Sequence, residues 1–403
     1  MRSQPEKLAP RGAGPLAWLR LLVGAFCAGV GALAVVPAPA GLFWYVGLGA
    51  TELGHWIALP ALATLLPGWR LSWQGRVGAA LGVVGAGLTL SALARALTFA
   101  GQVQAQVGDA VGAVEPLTRP DAPARPAPLV PLDLYRGIAS PPVNVHTVTF
   151  ANPDGQELKM DVYRAETVSR NGPSPCVVMV HGGSWQNGGR ADLPQLNTYL
   201  AARGYVVAAI DYRMAPKWRF PAETDDLHSA IAHLKANATD FGLDPTRIAI
   251  LGRSAGAQMA LLAAYTPPDP AIRGVVSLYG PTDMIYGYTH PANPAVLDSK
   301  AVLEAYLGGS PASVPTTYHD ASPINFVGPK TPSTLLIHGD RDALVSPMQS
   351  ILLAEKLAAG GRPYLHLRLP WADHGCDFYP SGPCGQIVTY SVERFLASVF
   401  KQP

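Results

Sequence analysis

The apolar positions of this 403-residue chain fall into two regimes. Up to about residue 100 they form long runs interrupted by few charges, whereas beyond residue 143 short apolar runs alternate with amphipathic stretches. A run of ~20 apolar residues is long enough for a helix to cross ~30 Å of hydrocarbon. Three such runs predict membrane helices at about 18–36, 42–66 and 77–99, within a membrane region covering 16–100.

Basic residues predict the orientation of these helices, because cytoplasmic loops are enriched in Lys and Arg. They lie around the start of the first run and between the second and third runs, but not between the first and second. These residues are Arg2, Lys7, Arg11, Arg20, Arg70 and Arg76. We therefore expect residues 1–15 in the cytoplasm and, after three crossings, the rest of the chain on the extracytoplasmic side. That would be a multi-pass cell-membrane protein in contact with lipids; a signal peptide would explain the first run alone.

Two ionisable residues, Glu52 and His55, lie inside the second predicted helix. They are three positions apart, which places them on one helix face. Ionisable groups within a membrane span are candidates for a functional role. A transporter or sensor built on this pair is one hypothesis, and a role in helix packing is the simpler alternative.

The chain changes character after the membrane region. Residues 101–142 are rich in Pro, which predicts a semi-rigid spacer. From residue 143 to 403, continuously apolar strand-like runs alternate with helical patterns, which predicts a parallel sheet covered by helices on both faces. Residues 281–330 break this alternation and are expected to form a cap; whether the cap is a mobile lid stays open at this point.

The charge of the chain limits the kinds of partner that can be expected. Charged residues make up 14% of the chain and the net charge is +2, so neither a nucleic acid nor another strongly charged partner is expected.

The chain has four cysteines. Cys27 and Cys176 stand in apolar runs, which predicts buried free thiols. Cys376 and Cys384, eight apart in a turn-rich loop, could form a disulfide in an oxidising compartment. A metal site is the alternative, but only His374 lies near as a further ligand, and no metal is predicted.

Chemically useful residues stand directly after four of the predicted strands. The carboxyl ends of parallel strands meet at one edge of a sheet, where functional groups of such folds are found. The groups at these ends are His181-Gly182-Gly183, Gly252-Arg253-Ser254-Ala255-Gly256, Asp340 with Asp342, and His374. One edge is thus expected to collect a hydroxyl, an imidazole, a carboxylate and a glycine-rich loop.

This set is what acyl transfer requires. A serine hydroxyl becomes a useful nucleophile when an imidazole takes its proton, and a carboxylate must orient that imidazole. Ser254 lies in a G-x-S-x-G pattern at a strand-to-helix turn, and the order Ser254, Asp342, His374 is the one expected for this arrangement. Backbone N–H groups of Gly182, Gly183 and Ala255 are the predicted oxyanion hole.

Five blocks occur in a recognisable order, and they are HGGSWQNG, DYRMAPKWRFPAETDD, DPTRIAILGRSAGAQMA, HGDRDALV and ADHG. Over about residues 143–400 the chain resembles the α/β-hydrolase family, and within it esterases of the hormone-sensitive-lipase type and their kynurenine-formamidase-like and feruloyl-esterase-like relatives. The resemblance implies Ser254 as nucleophile, His374 as base and Asp342, rather than Asp340, as acid, from its spacing to Val345. Ser184 and Arg253 stand where the first type has Gly and Asp, which favours the other two branches.

The sequence therefore predicts an α/β-hydrolase fold with a cap insertion, preceded by about three transmembrane helices. Its expected function is that of a membrane-anchored serine hydrolase that cleaves small-molecule or lipid-derived carboxylic esters without a cofactor. Trp185, Met214 and Tyr286 are candidates for the substrate pocket. An amidase, peptidase or acyltransferase with the same residues is the nearest alternative, and a catalytically inert membrane scaffold or binding protein is the alternative from another class. The oligomeric state is left open.

Overall fold

The computed structural model describes residues 14–112, 114–165 and 172–401. Most of the predicted cytoplasmic segment 1–15, including Arg2, Lys7 and Arg11, lies outside the described residues. Contacts divide the chain into two units. The first comprises the N-terminal residues up to Ala38 together with Leu42–Arg95, and the second comprises Pro39–Gly41 and the chain from Ala96 onward.

The N-terminal helices are α1 (Pro15–Leu33), α2 (Gly41–Glu52), α3 (Gly54–Ala63) and α4 (Trp73–Val111). Among the described residues only α1 and α4 are long and apolar enough to cross a membrane. The prediction of about three spans was therefore wrong. The expected second span, 42–66, is divided into α2 and α3 at Leu53, whose φ of −111° and ψ of 16° are not helical. Pro60, which has no N–H to donate, lies within α3.

This division changes two expectations. Glu52 ends α2 and His55 follows the break, so the two residues do not lie on one continuous helix face; both are buried. The assignment of the chain beyond residue 100 to the extracytoplasmic side depended on three crossings, and it loses that support. In the described part of the chain two helices, one of them near the N-terminus, are long and apolar enough to cross a membrane.

The Pro-rich segment after the membrane region is also more structured than expected. Helix α4 continues to Val111, and a single turn, α5, spans Asp133–Arg136. Between them Arg125 is buried: its guanidinium donates to Gln386 Oε1 at 2.7 Å and to Asp133 Oδ2 at 3.0 Å, and its backbone N–H donates to Glu393. Residues around Arg125 therefore pack against residues 386 and 393, so this part of the expected spacer belongs to the second unit.

An eight-stranded sheet forms the centre of the second unit. Its strands are β1 (Val143–Ala151), β2 (Leu158–Ala165), β3 (Ser174–Val180), β4 (Val206–Ile210), β5 (Leu243–Arg253), β6 (Ile272–Leu278), β7 (Ser333–Gly339) and β8 (Tyr364–Leu369). They are ordered β1-β2-β4-β3-β5-β6-β7-β8; β2 pairs antiparallel with β1 and β4, and the remaining pairs are parallel. Consecutive residues of β3, β4 and β7 are buried, although they point to opposite faces, so both faces of the central sheet are covered.

From β3 onward helices connect successive strands, as the alternation predicted, and a final helix follows β8. They are α6 (Pro194–Ala202), α7 (Ala222–Ala236), α8 (Ala238–Phe241), α9 (Ala255–Tyr265), α10 (Met284–Thr289), α11 (Ser299–Leu307), α12 (Pro315–Asp320), α13 (Met348–Ala359) and α14 (Pro383–Lys401). The expected cap segment, 281–330, holds the three short helices α10, α11 and α12. The N-terminal end of this segment is bound to α13, because Gln349 Oε1 accepts from the backbone N–H groups of Thr282 and Asp283 at 2.9 and 2.8 Å.

Candidate active site

Ser254 lies at the turn between β5 and α9. Its φ of 52° and ψ of −121° are rare for a residue with a side chain and cost roughly 1–3 kcal/mol. The flanking glycines make the turn possible, since a Cβ on Gly252 would lie 2.1 Å from the carbonyl oxygen of Gly256 and a Cβ on Gly256 would lie 2.3 Å from that of His181. The turn leaves the Ser254 side chain half-buried at the end of the strand.

The side chains of Ser254, His374 and Asp342 form one chain of hydrogen bonds. Oγ of Ser254 lies 2.9 Å from His374 Nε2, and His374 Nδ1 lies 2.7 Å from Asp342 Oδ2. An ionised carboxylate only accepts hydrogen bonds, so the proton between His374 and Asp342 lies on Nδ1 and Nε2 is free to accept from the serine hydroxyl. The structure thus brings together the three residues that the sequence singled out.

The carboxylate of Asp342 has no exposed surface. Burial alone would raise its pKa, but the neighbouring histidines His374 and His338 together shift it well below its ordinary value, through their charge and their hydrogen bonds. Its Oδ1 also accepts from the backbone N–H groups of Leu344 and Val345, at 2.9 and 2.7 Å. Asp342 is therefore ionised at neutral pH and held in one orientation.

The other carboxylates near this edge point elsewhere. Asp340 accepts from the half-exposed Arg368 at 2.9 Å. Asp283 caps α10 by accepting from the Tyr286 N–H. Asp373 accepts from the N–H groups of Ala343 and His374, and burial, together with the charge of Asp342, raises its pKa to about 6. Among the described hydrogen bonds, Asp342 is the carboxylate whose side chain contacts the His374 imidazole.

The glycine-rich loop after β3 lies next to this turn. A Cβ placed on Gly182 would be 3.2 Å from Cβ of Ser254. The loop is shaped by His181, whose ring stacks on Tyr212 at 4.2 Å and whose Nδ1 lies 2.7 Å from the Gly182 carbonyl. Burial lowers the pKa of His181, which keeps its ring neutral. Ala255 is the first residue of α9, so its N–H has no carbonyl partner within the helix and remains available to a ligand.

The three predicted pocket residues have different surroundings. Trp185 is a core residue: its ring stacks on Tyr306 at 4.2 Å and its Nε1–H donates to Gln258 at 3.0 Å. Met214 is partly buried and packs against the same core. Tyr286 is half-buried on α10 and stacks on the exposed ring of His290 at 4.1 Å.

Sequence reasoning missed a second buried cluster beside the site. Arg253 donates to Asp377 Oδ2 at 2.6 Å, and the hydroxyl of Tyr279 donates to the other oxygen of Asp377. The Tyr279 ring packs against the His374 imidazole at 4.5 Å. This cluster ties the residue before Ser254 to the loop after His374. Its one sequence signal was the Arg253 that departs from the hormone-sensitive-lipase pattern.

Cys376 and Cys384, on either side of Asp377, are bonded in the structure with a sulfur–sulfur distance of 1.99 Å. Cys27 and Cys176 are free and buried. Within the described ranges no group of three or more His, Cys, Asp or Glu side chains is arranged to hold a metal ion.

We predict that Glu223 makes folding pH-dependent. Its side chain is buried and receives the Tyr306 hydroxyl, and burial raises its pKa to about 7. The folded state therefore binds this proton more tightly than the unfolded state, so the contribution of Glu223 to stability is fully present below its unfolded pKa of 4.5 and is lost as the pH rises through 7. Glu223→Gln should remove ~2–3 kcal/mol of this decline, since one pKa unit is ~1.4 kcal/mol.

Denaturant unfolding at pH 5, 6, 7 and 8 measures this effect as the difference between wild type and variant. Asp373 and the other titrating groups contribute to both proteins and cancel in the difference. Unfolding free energies that run parallel across the four pH values would show that Glu223 titrates as it does in the unfolded chain.

Known proteins resemble this chain in sequence and fold. The family model described as BD-FAE matches residues 160–357. LipM, a probable carboxylic ester hydrolase of Mycobacterium tuberculosis, is 28% identical, with 89% of this chain and 86% of that protein covered. The esterase LipC of the same organism is 32% identical over 64% of this chain and 66% of its own length. Among solved structures, an esterase from Rhizomucor miehei matches with a TM-score of 0.57 at 20% identity, covering 76% of this chain and 91% of its own.

The fold and these relatives define the class of protein. The second unit has the α/β-hydrolase fold, and the relatives support an esterase or lipase family. Within that class the chain is a carboxylesterase-type hydrolase.

Proposed function

We propose that the chain hydrolyses small-molecule carboxylic esters through a triad of Ser254, His374 and Asp342. The observation that carries this proposal is the uninterrupted hydrogen-bond chain of 2.9 and 2.7 Å that links the three side chains at the carboxyl end of the sheet. The names of the relatives, which are ester hydrolases, agree with it.

The first half of the reaction forms an acyl-enzyme. As Ser254 Oγ bonds to the ester carbonyl carbon, its proton passes to His374 Nε2, and Asp342 stabilises the resulting imidazolium. The negative charge that develops on the carbonyl oxygen is held by the N–H groups of Gly182, Gly183 and Ala255, each worth ~3 kcal/mol. The carbon–oxygen bond to the alcohol then breaks, and the alcohol leaves with the proton of His374.

The second half regenerates the enzyme with water. His374 Nε2 takes a proton from a water molecule whose oxygen bonds to the acyl carbon, and the same oxyanion donors stabilise the second tetrahedral intermediate. When this intermediate collapses, the bond to Ser254 Oγ breaks and His374 returns the proton to that oxygen. The carboxylic acid is released, and the cycle needs no group beyond the chain and water.

Covalent labelling tests this proposal. A fluorophosphonate probe should attach to the full-length protein at a one-to-one ratio, and peptide mass mapping should find the adduct on Ser254. A panel of p-nitrophenyl esters and the matching anilides should show turnover of the esters first. A folded protein that takes up no probe and hydrolyses no ester of the panel would refute the triad.

We also propose that the N-terminal unit attaches the enzyme to a membrane. Helices α1 and α4 are long and apolar enough to cross it, and most of the large exposed apolar side chains of the described chain belong to residues 16–97. A soluble protein rarely exposes so much apolar surface in one region. Proximity to the bilayer favours apolar or lipid-derived esters as substrates.

Membrane attachment predicts that the full-length protein stays in the membrane pellet after a wash with alkaline carbonate and is released by detergent. Intact mass measured on the released protein separates the two uses of α1, because a signal peptide would be missing from it. Release by carbonate alone would contradict the attachment.

A further inference from the structure

A second histidine, His338 near the end of β7, shares the carboxylate of Asp342 with His374. Its ring is wholly buried. Its Nε2 lies 3.1 Å from Asp342 Oδ2, the same oxygen that meets His374 Nδ1 at 2.7 Å, and 3.0 Å from the carbonyl oxygen of Val345. Its Nδ1 lies 2.6 Å from the hydroxyl of Ser350 on α13.

These partners determine which nitrogen of His338 carries the proton. The carboxylate and the carbonyl beside Nε2 can only accept, so Nε2 must be the donor. In the neutral ring Nδ1 is then the acceptor, and the Ser350 hydroxyl is placed to donate to it. The surroundings of His338 thus direct its Nε2–H at Asp342.

Asp342 therefore has donors on every side. Two backbone N–H groups reach its Oδ1, from Leu344 and Val345, and both imidazoles reach its Oδ2. Two donors on one oxygen compete for the same negative charge. The negative charge that hydrogen-bonds to His338 is no longer available to His374. A carboxylate without a second histidine would therefore stabilise an imidazolium on His374 more strongly than Asp342 does.

The charged and titratable groups around His338 are the same in wild type and in the variants. On the neighbouring strand β8, burial lowers the pKa of His366 to about 4, so His366 is neutral. Arg368, also on β8, is paired with Asp340. Asp373 accepts from the N–H groups of Ala343 and His374 through one oxygen, and its pKa of about 6 makes it titrate near the acid limb in wild type and variants alike.

We propose that His338 is a positioning residue that holds Asp342 against His374 and, by sharing the same carboxylate oxygen, reduces the basicity of His374. This inference rests on the proposed triad. Its functional consequence is a lower acid limit of activity, because a less basic His374 remains unprotonated, and so able to take the serine proton, at lower pH.

The pH dependence of kcat/KM for a p-nitrophenyl ester tests the proposal on the full-length enzyme. The main variant is His338→Leu combined with Ser350→Ala, which removes the donor and the hydroxyl that would be left without its partner. Ser350→Ala alone keeps both Nε2 contacts and serves as the matched comparison. His338→Gln keeps an N–H donor at nearly the position of Nε2 and serves as the conservative rescue.

We expect the double variant to move the acid limb upward by roughly 0.5 to 1 pH unit, since the carboxylate keeps more charge for His374. We expect its kcat to fall about tenfold with KM within about twofold, the size of one lost buried hydrogen bond. Ser350→Ala should shift the limb less than the double variant, and His338→Gln should lie closer to wild type than the double variant does.

Rates are normalised to the fraction of enzyme that a fluorophosphonate probe titrates, so partial unfolding of a variant does not enter the comparison. An acid limb that stays in place or moves downward in the double variant overturns the proposal. If wild type is labelled on Ser254 and the double variant still shows the wild-type profile, only the role of His338 fails. If wild type is not labelled at all, the triad itself fails.

Discussion

Ser254→Ala should lower kcat for ester hydrolysis by roughly 10⁶-fold, the size of effect that removal of a serine nucleophile has in a triad enzyme. The reason is geometric as well as chemical. The positive φ of Ser254 presents its hydroxyl to His374 Nε2 at 2.9 Å, and no other hydroxyl contacts that nitrogen among the described hydrogen bonds. Steady-state hydrolysis of a p-nitrophenyl ester by the full-length protein, together with fluorophosphonate labelling, measures the loss.

The matched control is Ser229→Ala, the same chemical change on the exposed face of α7. Ser229 donates to the Asp225 carbonyl within its own helix, and its loss should leave kcat within about twofold because a surface substitution has a small effect. Thermal unfolding of both variants shows that each is folded. A Ser254→Ala protein that is folded and keeps a tenth or more of wild-type turnover would move the nucleophile to another residue.

Part of the candidate site was predictable because it is encoded in short stretches of sequence. The G-x-S-x-G turn, the glycines after β3 and the carboxylate and histidine after β7 and β8 each follow a strand of the parallel part of the sheet, and parallel strands bring their ends together. The structure places Ser254, His374 and Asp342 in hydrogen-bond contact accordingly. The choice of Asp342 over Asp340 needed the family spacing, since two carboxylates in one turn differ only in the direction of their side chains.

What the sequence did not predict depends on contacts between distant residues. The role of Arg253 is visible only when Asp377, 124 residues later, lies beside it. From the sequence Arg125 is a charged residue of a Pro-rich spacer, but in the structure it donates hydrogen bonds to Glu393 and Gln386 of α14. Apolar composition predicted a continuous span over 42–66, but the helix breaks at Leu53, where backbone geometry rather than hydropathy decides.

The buried pair of Arg253 and Asp377 also explains why a charged residue can stand directly before the nucleophile. Both side chains are nearly inaccessible, at 7% and 4% exposure, and each would be costly to bury alone. Arg253 and the Tyr279 hydroxyl both donate hydrogen bonds to the Asp377 carboxylate, and the ring of Tyr279 packs against His374. The cluster thus gives the serine turn and the histidine loop a common support.

Asp342→Asn should lower kcat by about 10⁴-fold, the effect known for neutralising the acid of a serine triad. The surroundings specify how the amide would sit. The backbone N–H groups of Leu344 and Val345 require an acceptor at the Oδ1 position, so the amide oxygen takes that place and the NH₂ group faces His374. His374 must then accept at Nδ1 and carry its proton on Nε2, where it can no longer take the proton of Ser254.

Asp340→Asn is the matched control, because Asp340 is the other carboxylate of the same turn and pairs with the half-exposed Arg368. Its loss should change kcat by no more than about twofold, as expected for a solvent-exposed ion pair. The comparison is made with a p-nitrophenyl ester and with both proteins shown to be folded by thermal unfolding. A large loss in Asp340→Asn with turnover retained in Asp342→Asn would reverse the assignment of the acid. The opposite pattern would show that Asp342 determines the tautomer of His374. Backbone N–H groups hold one oxygen of this carboxylate, and two imidazoles contact the other.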